Sequence, residues 1–339
     1  MSSRPLHPRR GPHDPATTTP PRRPGSIRRT TTHDSLRPDG LLGPLVVVAR
    51  GRDLHTGVRG ATTVLSTALV DATVDYVGGR NVTALSVAPT AQGLDTLIGV
   101  AASSGFRQAL DEVLPGERGT GSLRYQLLDD LPTAALVSGF AVVAAGVRVP
   151  SKHLGALNED LCAGWATGGT IMLGIEQDGF VPVVTGPPAP NLLSPDDDLA
   201  WHDIAPLSPH GMRRWRRIDV WREHDVVQIE CFFRDSHVDT DGLETVVHEY
   251  TVGAAVDPST MRFTKCGAAV GVLPWMECPG AAASAGRLVG APATGLRQWV
   301  RETFVGPPTC THLNDTLRAM EDVPVLVAAL AEGDRHENA

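Results

Sequence analysis

At 339 residues the chain is long enough for roughly two ordinary domains. With 42% apolar, 20% charged and 5% aromatic residues it has the composition of a globular protein with its own core. A formal charge of -8 argues against binding nucleic acid by neutralising phosphates. The longest unbroken run of apolar and small residues, Ala134 to Val147, falls short of the roughly 18 that a spanning helix needs, so no membrane segment is expected. Five widely spaced cysteines do not suggest a disulfide framework, and a reducing cytoplasm is the expected compartment.

Residues 1–25 carry seven Pro and five Arg without an apolar stretch, and are expected to be a disordered basic tail. The rest repeats. Arg52 to Asp75 aligns with Arg234 to Asp257 at a constant offset of 182, with ten of 24 positions identical, among them Arg52/Arg234, Asp53/Asp235, His55/His237, Gly60/Gly242 and Asp75/Asp257. With small gaps the match extends to Leu127-Leu128-Asp129-Asp130-Leu131 against Leu313-Asn314-Asp315-Thr316-Leu317. The sequence therefore reads as an internal duplication, with a first copy at 26–138 and a second at 212–331. Each copy presents a β-hairpin (Val226 to Arg234, then Glu244 to Val256 in the second) followed by helical segments (Ala281 to Leu288, Leu296 to Phe304, and a last helix from about Thr311 to Ala331). Strands followed by helices predict an α+β fold. Between the copies, 139–184 is an apolar, Gly-rich connecting segment with strand-like runs, and 185–211 reads as a Pro-rich linker or a long surface loop.

Scaffold residues should persist in both copies, whereas chemistry need survive in one. Opposite Ser66 and Thr67 the second copy has His248 and Glu249, near Gly93 it has Cys278, and opposite Arg124, Tyr125 and Gln126 it has Cys310, Thr311 and His312. The second copy is thus the candidate active half, and the first carries a degenerate site. Cys310 falls at a helix start, where the macrodipole and a neighbouring His favour a thiolate, with Thr309 or Thr311 as the cap. On a strand only one of His248 and Glu249 can face Cys310, and His248 is chosen. Cys278 precedes Pro279-Gly280 at another helix start. Cys278, Cys310, His312 and His248 have the donor composition of a zinc or iron site but lack metal-motif spacing, so the cofactor stays open. Asp235, Asp257 and His237, present in both copies, read as structural. Cys162, Cys231 and Cys266 read as core. The cluster Arg213-Arg214-Trp215-Arg216-Arg217 reads as a solvated charge run, with an anion site as the alternative.

Arg234-Asp235-Ser236, Val246-Val247-His248-Glu249-Tyr250, Asp257, the Cys278 segment and Cys310-Thr311-His312-Leu313-Asn314-Asp315-Thr316-Leu317-Arg318 resemble the bacterial family catalogued as domain of unknown function 2889, in its long actinobacterial form. The resemblance covers about 110 residues and implies no reaction. The family also has single-copy members, so a chain carrying two copies would be pseudo-dimeric, with homo-oligomerisation left open.

Two functions follow. One is a small-molecule enzyme of bacterial metabolism with a Cys/His site, acting by thiolate or metal-assisted chemistry on an acyl or carbonyl substrate, with catalytic candidates Cys310, His312, His248 and Cys278. The other is a metal- or sulfur-handling accessory protein that uses Cys278 and Cys310. A small-molecule substrate is expected as partner, with neither nucleic acid nor membrane.

Overall fold

Alternating side chains on the extended runs build eight strands in the computed structural model, which describes residues 7–103, 105–147 and 158–337. The strands are β1 (Ser26–Leu36), β2 (Leu45–Thr56), β3 (Thr62–Val74), β4 (Val82–Ala88), β5 (Met212–Glu223), β6 (Val226–Val238), β7 (Glu244–Val256) and β8 (Phe263–Val272). They form one antiparallel sheet in the order β4-β3-β2-β1-β5-β6-β7-β8. β1 and β5 pair at its centre, with Ser26 opposite Trp221 and Ser35 opposite Met212. The fold is α+β, and the sheet runs unbroken through both halves of the chain.

Helices cover one face: α1 (Phe106–Val113), α2 (Leu123–Val137), α3 (Gly139–Ala144), α4 (Thr170–Asp178), α5 (Leu296–Thr303), α6 (Thr311–Ala319) and α7 (Val323–Glu337). Leu127, Leu128 and Leu131 of α2 pack on Leu45, Val47 and Val70, while Leu313, Leu317 and Leu326 join Ile218, Phe233, Tyr250 and Val252. Fully burying one such side chain contributes about 1.5–3 kcal/mol. Leu123–Ala144 is long and apolar enough, by length and composition, to cross a membrane. Its most apolar window is 61% buried here, and the ion-paired Asp129 and Asp130 lie within it. Ser122 caps α2, its Oγ accepting the Tyr125 N–H at 3.2 Å. Ser122→Ala is expected to cost about 1 kcal/mol, read as a lower urea midpoint with unchanged slope.

Several sequence expectations change. Residues 7–25 are placed as a strap rather than a loose tail. Asp14 N donates to Gly271 O at 3.0 Å, and Leu273 N to Pro12 O at 3.0 Å, so the strap satisfies the open edge of β8. Gly11 allows that approach, since a Cβ there would lie 2.5 Å from Leu273 O. Residues 185–211 form a second strap, in which Trp201 packs edge-on against Trp215 at 4.9 Å and its Nε1 donates to Thr19 Oγ1 at 2.8 Å. The two straps cover the face opposite the helices. In 139–184 the runs expected as strands are α3, a short 3-10 turn at Ala163–Trp165 and α4 among the described residues, while 148–157 lies outside them. Ala281 to Leu288 belongs to a 3-10 stretch, Cys278–Leu288, and the last helix is broken by another at Met320–Asp322.

The arginine cluster is neither solvated nor an anion site. It is strand β5, and strand periodicity sends its cations to opposite faces. Arg213 pairs with Asp34 through Nε and Nη2 at 2.6 and 2.7 Å on the strap face, and Arg28 pairs with Asp219 at 2.6 and 3.0 Å. On the helix face Arg214 pairs with Asp235 and Asp315, and Arg216 with Asp130. Two of the positions shared by the aligned segments of the two halves are explained by turns. Gly60 and Gly242 have φ of +88° and +82° in the β2–β3 and β6–β7 turns, where a side chain would be strained. Asp257 accepts the Ser259 and Thr260 amides at 2.9 Å each, and Asp75 accepts the Gly78 amide at 3.0 Å.

Candidate active site

Strand β6 carries Asp235, and its partner across the sheet on β7 is His248, next to a register shift at Asp235/Ser236. Bulges of this kind re-aim a side chain. Glu249 turns to the opposite face, where its Oε2 accepts from Arg234 Nε at 2.6 Å and its Oε1 from the Ala16 amide at 2.6 Å. Helix α6 then brings Cys310 and His312 over the same spot. Cys310 itself, rather than Thr309 or Thr311, is the N-cap residue, in extended conformation with φ -130° and ψ 126°.

The resulting geometry is a line of three groups. Cys310 Sγ lies 3.9 Å from His312 Nδ1, and His312 Nε2 lies 3.7 Å from Asp235 Oδ2. His248 stacks on His312 with ring centroids 3.6 Å apart and planes 17° apart. Beneath them the buried Arg214 holds Asp235 in a two-pronged pair at 2.9 and 3.0 Å and reaches Asp315 at 3.0 Å. Burial, helped by Arg214, lowers His312 to about 3, and burial together with His312 lowers His248 well below its ordinary value. Both imidazoles are therefore neutral at pH 7, which permits them to stack. Burial pushes the Cys310 thiol up to about 11, with Cys162 adding to the rise, although the Tyr250 hydroxyl and the amides of Leu313 and His312 pull it the other way. The resting pair is thus thiol and neutral imidazole.

Cys278 is buried beside this line, as is Cys162, which the sequence reading assigned to the core. A Cβ placed on Gly164 would lie 3.2 Å from Cys278 Sγ and 4.0 Å from Cys162 Sγ, so glycine there leaves room for both thiols. Burial raises both thiols above their ordinary range. Among the described residues, the one set of three potential ligands lying within 4.8 Å of each other is Asp235, His248 and His312, and it contains no cysteine. Its composition is that of a two-His, one-carboxylate metal site. The geometry fits a metal poorly, because near-parallel stacked rings cannot both aim an in-plane lone pair at one ion and Arg214 already occupies both Asp235 oxygens.

The site opens into a cleft of about 1400 Å3 that Cys162, His248, Cys278, Cys310 and His312 all line. At the aligned positions in the first half the groups are closed on each other. Arg29 pairs with Asp53 at 2.6 and 2.7 Å and with Gln126 Oε1 at 3.1 Å, Ser66 donates to Asp53 at 2.8 Å, and Arg124, opposite Cys310, pairs with Glu117. Asp235 is the site residue that sequence reasoning set aside. An aspartate stands at the aligned position in each half because each must neutralise a buried arginine, and this masks the second contact of Asp235 with His312. Cys162 gave no signal, since it lies in the segment without a counterpart.

No curated protein and no solved structure matches the chain. Residues 212–326, roughly a third of the chain, match the family described as protein of unknown function (DUF2889), and this stretch, which holds Asp235, His248, Cys278, Cys310 and His312, resembles that family.

Proposed function

We propose that the protein is a cysteine-dependent enzyme acting on an acyl substrate, with Cys310 as nucleophile and His312 as general base. The observation that carries this reading is the line from Cys310 Sγ through His312 to the buried Asp235, with Cys310 and His312 bordering the cleft. The aspartate faces Nε2, so the proton of a neutral His312 belongs there and Nδ1 is left as the acceptor toward the thiol. In the reaction Nδ1 takes the thiol proton as Sγ bonds to the carbonyl carbon. The first-turn amides of His312 and Leu313 lack intrahelical partners and act on the Cys310 sulfur, which makes them the proposed donors to an oxyanion formed on the carbon that Sγ attacks. Collapse expels the leaving group, which takes the proton back from His312, and water or another acceptor then releases the acyl group from sulfur. A pair that rests neutral must move its proton in step with attack rather than before it.

The fold's organisation belongs to the same proposal. The two halves derive from one duplicated unit, with 185–211 as the segment that joins them. The reciprocal pairs Arg28 with Asp219 and Arg213 with Asp34, which exchange partners across the β1–β5 junction, support this. The enzyme is proposed to work on a small molecule in the cytoplasm.

The test is intact-protein mass spectrometry after mixing with p-nitrophenyl butyrate. One butyryl adduct on Cys310, absent in Cys310→Ala and retained in Cys278→Ala, is the expected result. An adduct that persists in Cys310→Ala would overturn the assignment. Loss in Cys278→Ala alone would instead favour a sulfur-handling role for the neighbouring thiols.

A further inference from the structure

We infer that the acyl group this site accepts is a long apolar one, and that the first half of the chain is retained as one wall of its channel. The inference rests on the reading of Cys310 as an acyl-accepting nucleophile and adds to it the substrate's shape. At about 1400 Å3 the cleft exceeds the roughly 300–1000 Å3 of ordinary small-ligand pockets. An acetyl group would leave it almost empty.

The lining is divided by chemistry. Leu136 and Val137 from the end of α2 in the first half, continued by Phe140 and Val143 of α3 in the connecting segment, form one wall, and Val183 and Val305 face the same space. Leu136 and Val305 are 56% and 62% exposed, so the lining offers uncovered apolar surface to a chain lying in the cleft. The wall meets the candidate site directly, because Phe140 packs with Met212 and Val247, the residue next to His248, and its ring lies 5.3 Å from that of His237. At the floor the chemistry changes. Asn314 Oδ1 and His248 Nδ1 are buried, border the cleft and have no hydrogen-bond partner among the described residues. Buried polar atoms are normally satisfied, so unspent hydrogen-bonding capacity lies just beneath the lining at this end of the cleft, which makes it the polar end. A polar, reactive end at the floor and an apolar channel leading away describe an acyl chain attached through its carbonyl carbon.

Isothermal titration of Cys310→Ala with butanoate, octanoate and dodecanoate tests this without any chemistry. Affinity should rise with length, by up to about fourfold for each methylene buried. Leu136→Asp and Val305→Asp, at exposed positions that should leave the melting temperature unchanged, should each weaken dodecanoate at least tenfold. Dodecanoate binding no tighter than butanoate, or unaffected by both aspartates, would overturn the inference. The two proposals fail separately. Length-dependent binding without a Cys310 adduct removes the nucleophile and keeps the channel, whereas adducts that form with no preference between acetyl and dodecanoyl esters, together with length-independent binding, remove the channel and keep the nucleophile.

Discussion

Replacing Arg214 with methionine is expected to lower the unfolding free energy by about 3–5 kcal/mol, because it leaves Asp235 buried without its cation and strips Asp315 of one of its two. Asp235 is 1% exposed and takes both of its close contacts from Arg214. Asp315 loses the Arg214 contact at 3.0 Å and keeps Arg318 at 3.2 Å. Burial pushes the Asp315 carboxyl up, and it is Arg214 first and Arg318 second that hold it below its ordinary range. Removing the first partner therefore makes ionised Asp315 costly. Arg29→Met provides the comparison, since Arg29 is equally buried and bridges Asp53 and Asp322 at 2.6 and 2.7 Å. Both variants should show a similar fall in chemical denaturation, but only Arg214→Met should alter the site. Arg214 helps to depress His312, so in that variant the His312 titration should move up from about 3 while Arg29→Met leaves it in place. Equal His312 titrations in the two variants, followed by NMR, would show that Arg214 is scaffold alone.

The hairpins β2–β3 and β6–β7 were legible in the sequence because their signals are local. Alternation over a strand and glycine at a positive-φ turn need no knowledge of the rest of the chain. The central strands β1 and β5 were not, because Ser26 to Leu36 and Met212 to Glu223 carry arginine, threonine and aspartate where a buried strand normally carries valine and isoleucine. Their burial depends on acids that lie far away in the chain, such as Asp130 for Arg216 and Asp219 for Arg28. No local pattern records that dependence. The straps escaped notice for a related reason. Proline removes the donors that usually mark a paired segment, so the edge of β8 supplies some of them, as when Leu273 N donates to Pro12 O. In the candidate site, comparison of the aligned segments pointed to Cys310, His312 and His248, since those are positions at which the halves differ. The same comparison hid Asp235, which serves a buried arginine in both halves and faces an imidazole in only one.

Exchanging His312 for glutamine, the residue at the aligned position in the first half, is expected to slow acylation of Cys310 by about 10²–10⁴-fold, the usual contribution of a positioned base. Stability should respond to pH in a way that identifies the same residue. His312 takes up a proton at about 3 in the folded protein and near 6.5 when unfolded. Below pH 6.5 the unfolded chain therefore binds a proton that the folded chain refuses. Each such group removes about 1.4 kcal/mol of stability per pH unit until its folded value is reached. His202, lowered to about 3, and His237, lowered to about 4, act in the same direction through burial, as does His248. The wild-type protein should accordingly lose stability steeply between pH 6.5 and 4. His312→Gln should lose it with a slope smaller by about one proton, or about 1.4 kcal/mol per pH unit. Urea midpoints measured at intervals across that range give both slopes. An unchanged slope would mean that His312 is protonated in the folded state, and an imidazolium could not act as the base that accepts the Cys310 proton.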